Sequence, residues 1–173
     1  MVHNKWFIGC THFFHANTWK LFKRDDGTPL RPFTSTEEMN ETIIDNWNSV
    51  VKDNDYVYHL GDVTFRNDGA FNELMHRLKG KKRLIIGNHD KIWHPSLINN
   101  FEKADLWKGF KEGNFTCSHI PQLLGSLRDG AFNVHAHIHA NKMEDPHYIN
   151  VCVEVRNYTP VNYDTILEEI RRV

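Results

Sequence analysis

The stretch RLIIGNHD, residues 83–90, sets a short apolar run against a glycine and then three polar side chains, Asn88, His89 and Asp90. A run of this length, rich in Ile and Leu and bounded by turn residues, favours strand over helix. Read alone, it predicts only a strand that ends in a turn. The same order of events occurs four more times. KWFIG (5–9) runs into Cys10, Thr11 and His12; DYVYHLG (55–61) runs into Asp62; NFTCS (114–118) runs into His119; AFNVHA (131–136) runs into His137 and His139. Ligands of open α/β sheets bind in the crevice beyond the carboxyl ends of the strands. Five strands that each deliver Cys, His, Asp or Asn to such an edge point to a constructed site.

The segments between the strands supply the rest of the architecture. STEEMNETIIDNWNSVV (35–51) opens with Ser35 and Glu38 at capping-box spacing and places Met39, Ile43 and Trp47 on one stripe. DGAFNELMHRLKG (68–80) has Asp68 as its N-cap and Gly80 as its stop, and YDTILEEIRRV (163–173) takes Asp164 as a cap. A sixth strand is expected over YINVCVEV (148–155). Strands alternating with helices, then mainly strands, predict a layered α/β fold with mixed sheets. At 173 residues, with no repeat and no linker, the chain is expected to form a single domain over 1–173. The 21 basic and 22 acidic side chains balance, which leaves no global field to recruit nucleic acid or anionic membrane. Three cysteines without framework spacing, no signal peptide and no long apolar span lead us to expect a reduced, cytoplasmic protein.

Twelve histidines are the unusual entry in the composition, and three of them alternate in NVHAHIHA (133–140). On an extended segment they would share a face. That spacing suits a metal site and a solvated strand equally.

The order CTH, LGD, GNHD, SH and HIH resembles the calcineurin-like metallophosphoesterases over residues 7–139. What the resemblance implies is an αββα sandwich of two mixed sheets flanked by helices, with two divalent ions at one end. It implies Asp62 as the carboxylate that bridges the ions; Cys10, His12 and His139 on the first metal; and Asn88, His119 and His137 on the second. His89 would serve as a catalytic acid beside the metals, with Asp90 orienting its ring, and His135 would fall outside the ligand set. The implied reaction is hydrolysis of a phosphoester by in-line attack of a metal-bridging hydroxide.

Two positions depart from the family pattern. Cys10 stands where most members carry Asp, similar to the Gly-Cys-x-His of RNA lariat debranching enzymes, and a thiolate favours zinc or iron over magnesium or manganese. The metals expected are therefore Zn, Fe or Mn. Ala136 stands where the family has glycine, and a positive φ there would cost alanine about 1 kcal/mol.

For the substrate, His15 and Arg66 are the candidate phosphate contacts, and residues 17–33, with Trp19, Lys20, Phe22, Lys23 and Arg24, form a candidate substrate-facing loop. The basic run KGKKR (79–83) lies at the start of its strand, ~13 Å from Asn88 at strand rise, and reads as a helix end. A phosphodiester, from a nucleotide or short oligonucleotide, is the expected substrate. The alternative is a phosphoesterase-fold protein kept as a protein-binding scaffold. Other histidine-rich hydrolases fit poorly: a (β/α)₈ barrel needs ~200 residues or more, and Ala140 after His139 breaks the His-x-His-x-Asp-His of the metallo-β-lactamase type.

Overall fold

The computed structural model describes residues 4–173, so the first three residues of the expected 1–173 unit lie outside the described residues. One sheet consists of β1 (Lys5–Ile8), β2 (Tyr56–His59), β3 (Lys81–Ile85), β4 (Lys103–Asp105) and β9 (Val161–Asn162), in the spatial order β4-β3-β2-β1-β9. The other consists of β5 (Trp107–Phe110), β6 (Phe115–Ser118), β7 (Phe132–His135) and β8 (Tyr148–Asn150), in chain order. Each sheet is parallel except for one antiparallel edge strand, β9 in the first and β5 in the second.

The apolar runs are continuous because both faces of the first sheet are buried. Ile8, Val57 and Leu84 point to one side, where Met39, Ile43 and Trp47 of α2 (Thr36–Val50) and Phe71, Leu74 and Met75 of α3 (Gly69–Arg77) cover them. Their chain neighbours Phe7, Tyr58 and Ile85 point to the other side, against Phe115, Cys117, Phe132 and Val134 of the second sheet. The period of two thus sorts adjacent residues into two cores. Each fully buried Leu, Ile or Phe contributes roughly 1.5–3 kcal/mol. The layered mixed α/β fold expected from the alternation of elements is the one found.

Ser35 accepts the Glu38 amide and Asp68 accepts the Phe71 amide, as their spacing predicted. The C-terminal helix α5 (Tyr163–Arg171) differs: its N-cap is Asn162, which accepts the amide of Asp164. Asp164 instead lies in the first turn, where its charge complements the helix dipole. The strand expected over 148–155 stops at Asn150. Beyond it the chain crosses to the first sheet, where the Gly9 amide donates to Val151 O and the Val153 amide to Gly9 O, and then turns into a short 3₁₀ segment. Three strands of two to four residues (β4, β5 and β9) and two single-turn helices, α1 (Asn17–Lys20) and α4 (Pro95–Ile98), had no sequence signal of their own.

Two backbone approaches position the strand ends. Gly61 has φ +82°, and a Cβ there would lie 2.5 Å from the Gly87 nitrogen; a Cβ on Gly87 would lie 2.4 Å from the Asp62 nitrogen. The glycines of LGD and GNHD therefore let the two loops touch main chain to main chain. Between the sheets, a Cβ on Gly9 would lie 2.4 Å from the Ala136 Cβ. Ala136 is not among the residues with positive φ. Glycine is not required at that position, and the expected strain is absent.

Candidate metal centre

Cys10, His12, Asp62, Asn88, His119, His137 and His139 all come from loops that follow β1, β2, β3, β6 and β7. Five of them have left-handed backbone: Cys10 (φ 54°), His12 (47°), Asp62 (56°), His137 (69°) and His139 (52°). Strain of about 1 kcal/mol or more at each such residue persists only where the surroundings over-determine it. Here hydrogen bonds between loops do so. The Cys10 amide donates to Gly61 O, the His12 amide to Asp62 O, and the His137 amide to Cys10 Sγ at 3.2 Å.

Asp62 lies between two groups of donors. Its Oδ2 is 3.7 Å from His12 Nε2 and 3.4 Å from His119 Nε2. Donor atoms of Cys10, His12 and His139 lie within 4.8 Å of one another, as do those of Cys10, Asp62 and His119. His119 donates Nδ1–H to Leu60 O at 2.7 Å, and its Nε2 lies 2.9 Å from Asn88 Oδ1 and 3.2 Å from His137 Nδ1. Burial lowers the His119 pKa, but the hydrogen bond and charge of Asp62 outweigh that and raise it, so an ion at Nε2 would displace a proton. Donors spaced by ~3.3 Å are what a tetrahedral ion with ~2.0 Å bonds requires.

The chemistry of these atoms fits a divalent ion. His12 is 3% exposed, and neither ring nitrogen has a hydrogen-bond partner. A buried imidazole without partners is costly, and a cation on one nitrogen would relieve the cost at that nitrogen. Burial, with help from the Arg31 and His139 charges, pushes the His12 pKa well below its usual value, so the ring is in the neutral form a metal needs. Burial opposes ionisation of Asp62, but the hydrogen bond and charge of His119, the His89 amide and His12 outweigh it and hold the carboxyl well below the usual range. The Cys10 thiol is raised by burial first and then by Cys152, Glu154 and Asp62, so metal binding there has to displace a proton.

A fully buried Arg31 supports the Cys10 side. It donates to Cys10 O at 2.6 Å, to Thr11 O at 2.8 Å and to Glu154 Oε1 at 2.8 Å. The same Glu154 oxygen accepts Nδ1–H of His139 at 3.0 Å, which fixes the tautomer that presents Nε2 to the site. Burial works against the Glu154 charge, but Arg31 and His139 bring its pKa down to about 2. Neither Arg31 nor Glu154 was singled out in the sequence, where they stand 123 residues apart without a local pattern.

The remaining expectations divide. His89 is exposed, with its ring centroid 6.1 Å from that of His12. Asp90 does not orient that ring. Its two oxygens accept the amides of Asp62, Val63 and Gly87, so it acts as a clamp on the loop that carries Asp62. His15 stacks on the half-exposed Phe65, with centroids 3.7 Å apart. Arg66 pairs with Asp68, the cap of α3, at 2.8 Å and lies over the Phe14 ring. Its guanidinium therefore has an exposed structural partner. His135 is buried and directed to Ala136 O, and His59 shares a hydrogen bond with Thr11 Oγ1 while burial pushes its pKa down to about 3. In the basic run, Lys82 caps the carbonyls of Leu78 and Gly80.

Residues 4–169 match the family model described as calcineurin-like phosphoesterase. The chain belongs to the calcineurin-like phosphoesterase family. As a member it is a metal-dependent hydrolase of phosphoester bonds. It is 37% identical over 174 residues to an uncharacterised protein of Methanocaldococcus jannaschii, covering 95% of this chain and 90% of that one. Over 93 residues it is 32% identical to a gene 66 protein of Mycobacterium phage L5, covering 50% of this chain and 40% of that one. The crystal structure of a protein of unknown function from Aquifex aeolicus superposes with a TM-score of 0.73 at 26% identity, covering 96% of this chain and 99% of that one. No helix among the described residues is long and apolar enough to cross a membrane.

Proposed function

We propose that this phosphoesterase acts as one domain in the cytoplasm and cleaves a phosphodiester, from a nucleotide or short oligonucleotide, at a two-ion centre. Cys10, His12 and His139 hold one divalent ion, Asn88, His119 and His137 hold the other, and Asp62 serves both. The observation that carries the reading is the single Asp62 oxygen facing His12 on one side and His119 on the other. When bound, such a pair of ions supplies Lewis acidity and lowers the pKa of water. The thiolate of Cys10 selects zinc or iron over manganese. His89, exposed at the rim, donates a proton to the leaving oxygen. Asp90 holds the Asp62 loop in place without touching substrate. Free Cys10, Cys117 and Cys152 fit a reducing compartment.

The test is elemental analysis of anaerobically purified protein, paired with hydrolysis of bis(p-nitrophenyl) phosphate with and without added zinc, ferrous iron or manganese. We expect close to two ions per chain and turnover that depends on them. His89→Ala should keep the ions and lose ~10²–10⁴ in rate. No bound metal and no rescue by any ion would overturn the reading and favour a protein-binding scaffold.

A further inference from the structure

Residues 22–30 form a small hairpin that none of the chemistry above uses. The Arg24 amide donates to Thr28 O at 2.8 Å, the Leu30 amide donates to Phe22 O at 2.9 Å, and Asp26 Oδ1 accepts both the amide and the hydroxyl of Thr28. The hairpin is rooted in the core. Leu30 is buried, and the next residue is Arg31, which holds the Cys10 and Thr11 carbonyls.

Between this hairpin and residues 137–141 lies a cavity of about 400 Å³. Its floor includes His137 and His139; its wall is Phe22, Lys23, Arg24 and Asp25. The wall carries two cations against one carboxylate. Among the described residues, neither Lys23 nor Arg24 comes within ion-pair distance of a carboxylate; Arg24 contacts Leu30 O at 3.4 Å and its charge reaches Asp26 within the hairpin. Two cations beside the donor set, neither in a direct ion pair and Lys23 exposed, suit an anion that arrives with the substrate. Along the rim, half-exposed Phe22 and Phe65 lie on either side of His15, edge-on at 5.6 Å and stacked at 3.7 Å, and Phe65 continues to His89 at 5.4 Å. Cations beside part-exposed aromatic rings are what a short single strand needs, with phosphates on the charges and bases on the rings.

We propose that Lys23 and Arg24 form a second phosphate subsite. With the scissile diester at the metal donors, the next phosphate of a single-stranded oligonucleotide rests on the hairpin, and a base packs on Phe22 or Phe65. This rests on the phosphodiesterase reading and adds to it a requirement for a second phosphate.

The experiment titrates metal-loaded protein by calorimetry with thymidine dinucleotides that carry a phosphorothioate at the scissile link. One probe has no terminal phosphate, one a 5′-phosphate and one a 3′-phosphate. Wild type should bind one phosphorylated probe about tenfold more tightly than the plain one, and Lys23→Ala/Arg24→Ala should bring that ratio to about one. The slope of log affinity against log salt should fall by about one unit per cation removed. Lys23→Glu, at an exposed position, repeats the test should the double variant fold poorly. A wild type that hydrolyses bis(p-nitrophenyl) phosphate but is indifferent to either terminal phosphate would overturn the subsite and leave the phosphodiesterase standing. A wild type that never hydrolyses that diester with any metal would remove the underlying reading and the subsite with it.

Discussion

On one side of Asp62, Cys10, His12 and His139 sit over the fully buried Arg31/Glu154 pair; on the other, Asn88, His119 and His137 lean on a backbone carbonyl and on each other. Both sides present imidazoles at strand ends, yet among the described residues the fully buried ion pair, Arg31 with Glu154, lies on the Cys10 side. Glu154 neutralises Arg31 and orients His139, and Arg31 ties down the two carbonyls that flank the strained Cys10 turn. The His119 side depends on Leu60 O, with Asn88 exposed and His137 only partly buried. The Cys10 half is sheltered and cross-tied by hydrogen bonds, and the His119 half lies nearer solvent.

Three substitutions would break or sharpen that contrast. The largest effect belongs to Asp62, which faces both halves: Asp62→Asn should abolish stoichiometric metal and lower turnover by more than the ~10–100-fold expected of an outer partner. Retained turnover would mean that no shared carboxylate exists and that the two halves are independent. Next comes Glu154→Gln, which should weaken metal binding by about 10–100-fold on the Cys10 side alone. The readout is loss of the thiolate-to-cobalt charge-transfer band in cobalt-titrated protein while a second cobalt still binds. Leaving Arg31 buried without its partner should also cost ~3–5 kcal/mol of apo-protein stability in a denaturant melt. An unchanged cobalt spectrum would show that the sheltered half does not need its counter-charge. The smallest effect is expected from Cys10→Asp, which keeps a single negative charge and should move preference from zinc or iron toward manganese. The same metal profile in both proteins would place the Cys10 sulfur off the ion.

Much of this was legible in the sequence because it is local. An apolar run, a glycine and a polar side chain form a strand, a tight turn and a group at the sheet edge, and five such units placed Cys, His, Asp and Asn side chains at one edge before any coordinates. Ser35 and Asp68 were legible as caps for the same reason. Arg31 and Glu154 were not, since a salt bridge between distant positions leaves no periodicity. The run at 148–155 misled because β propensity persists through Val151, Cys152 and Val153 while the chain changes sheets there. Asp90 was misread for a related reason. Its neighbour in the chain is His89, but its neighbours in space are three amides.

The methyl of Ala136 seats against the bare Cα of Gly9 and so sets how closely the sheets mesh at the end where the ligands lie. Of the seven proposed donors, Cys10, His12, Asp62 and Asn88 ride on the first sheet, and His119, His137 and His139 ride on the second. The gauge of the centre is therefore machined into the chassis: one absent side chain on one sheet and one methyl on the other set the distance between the donors of the first sheet and those of the second.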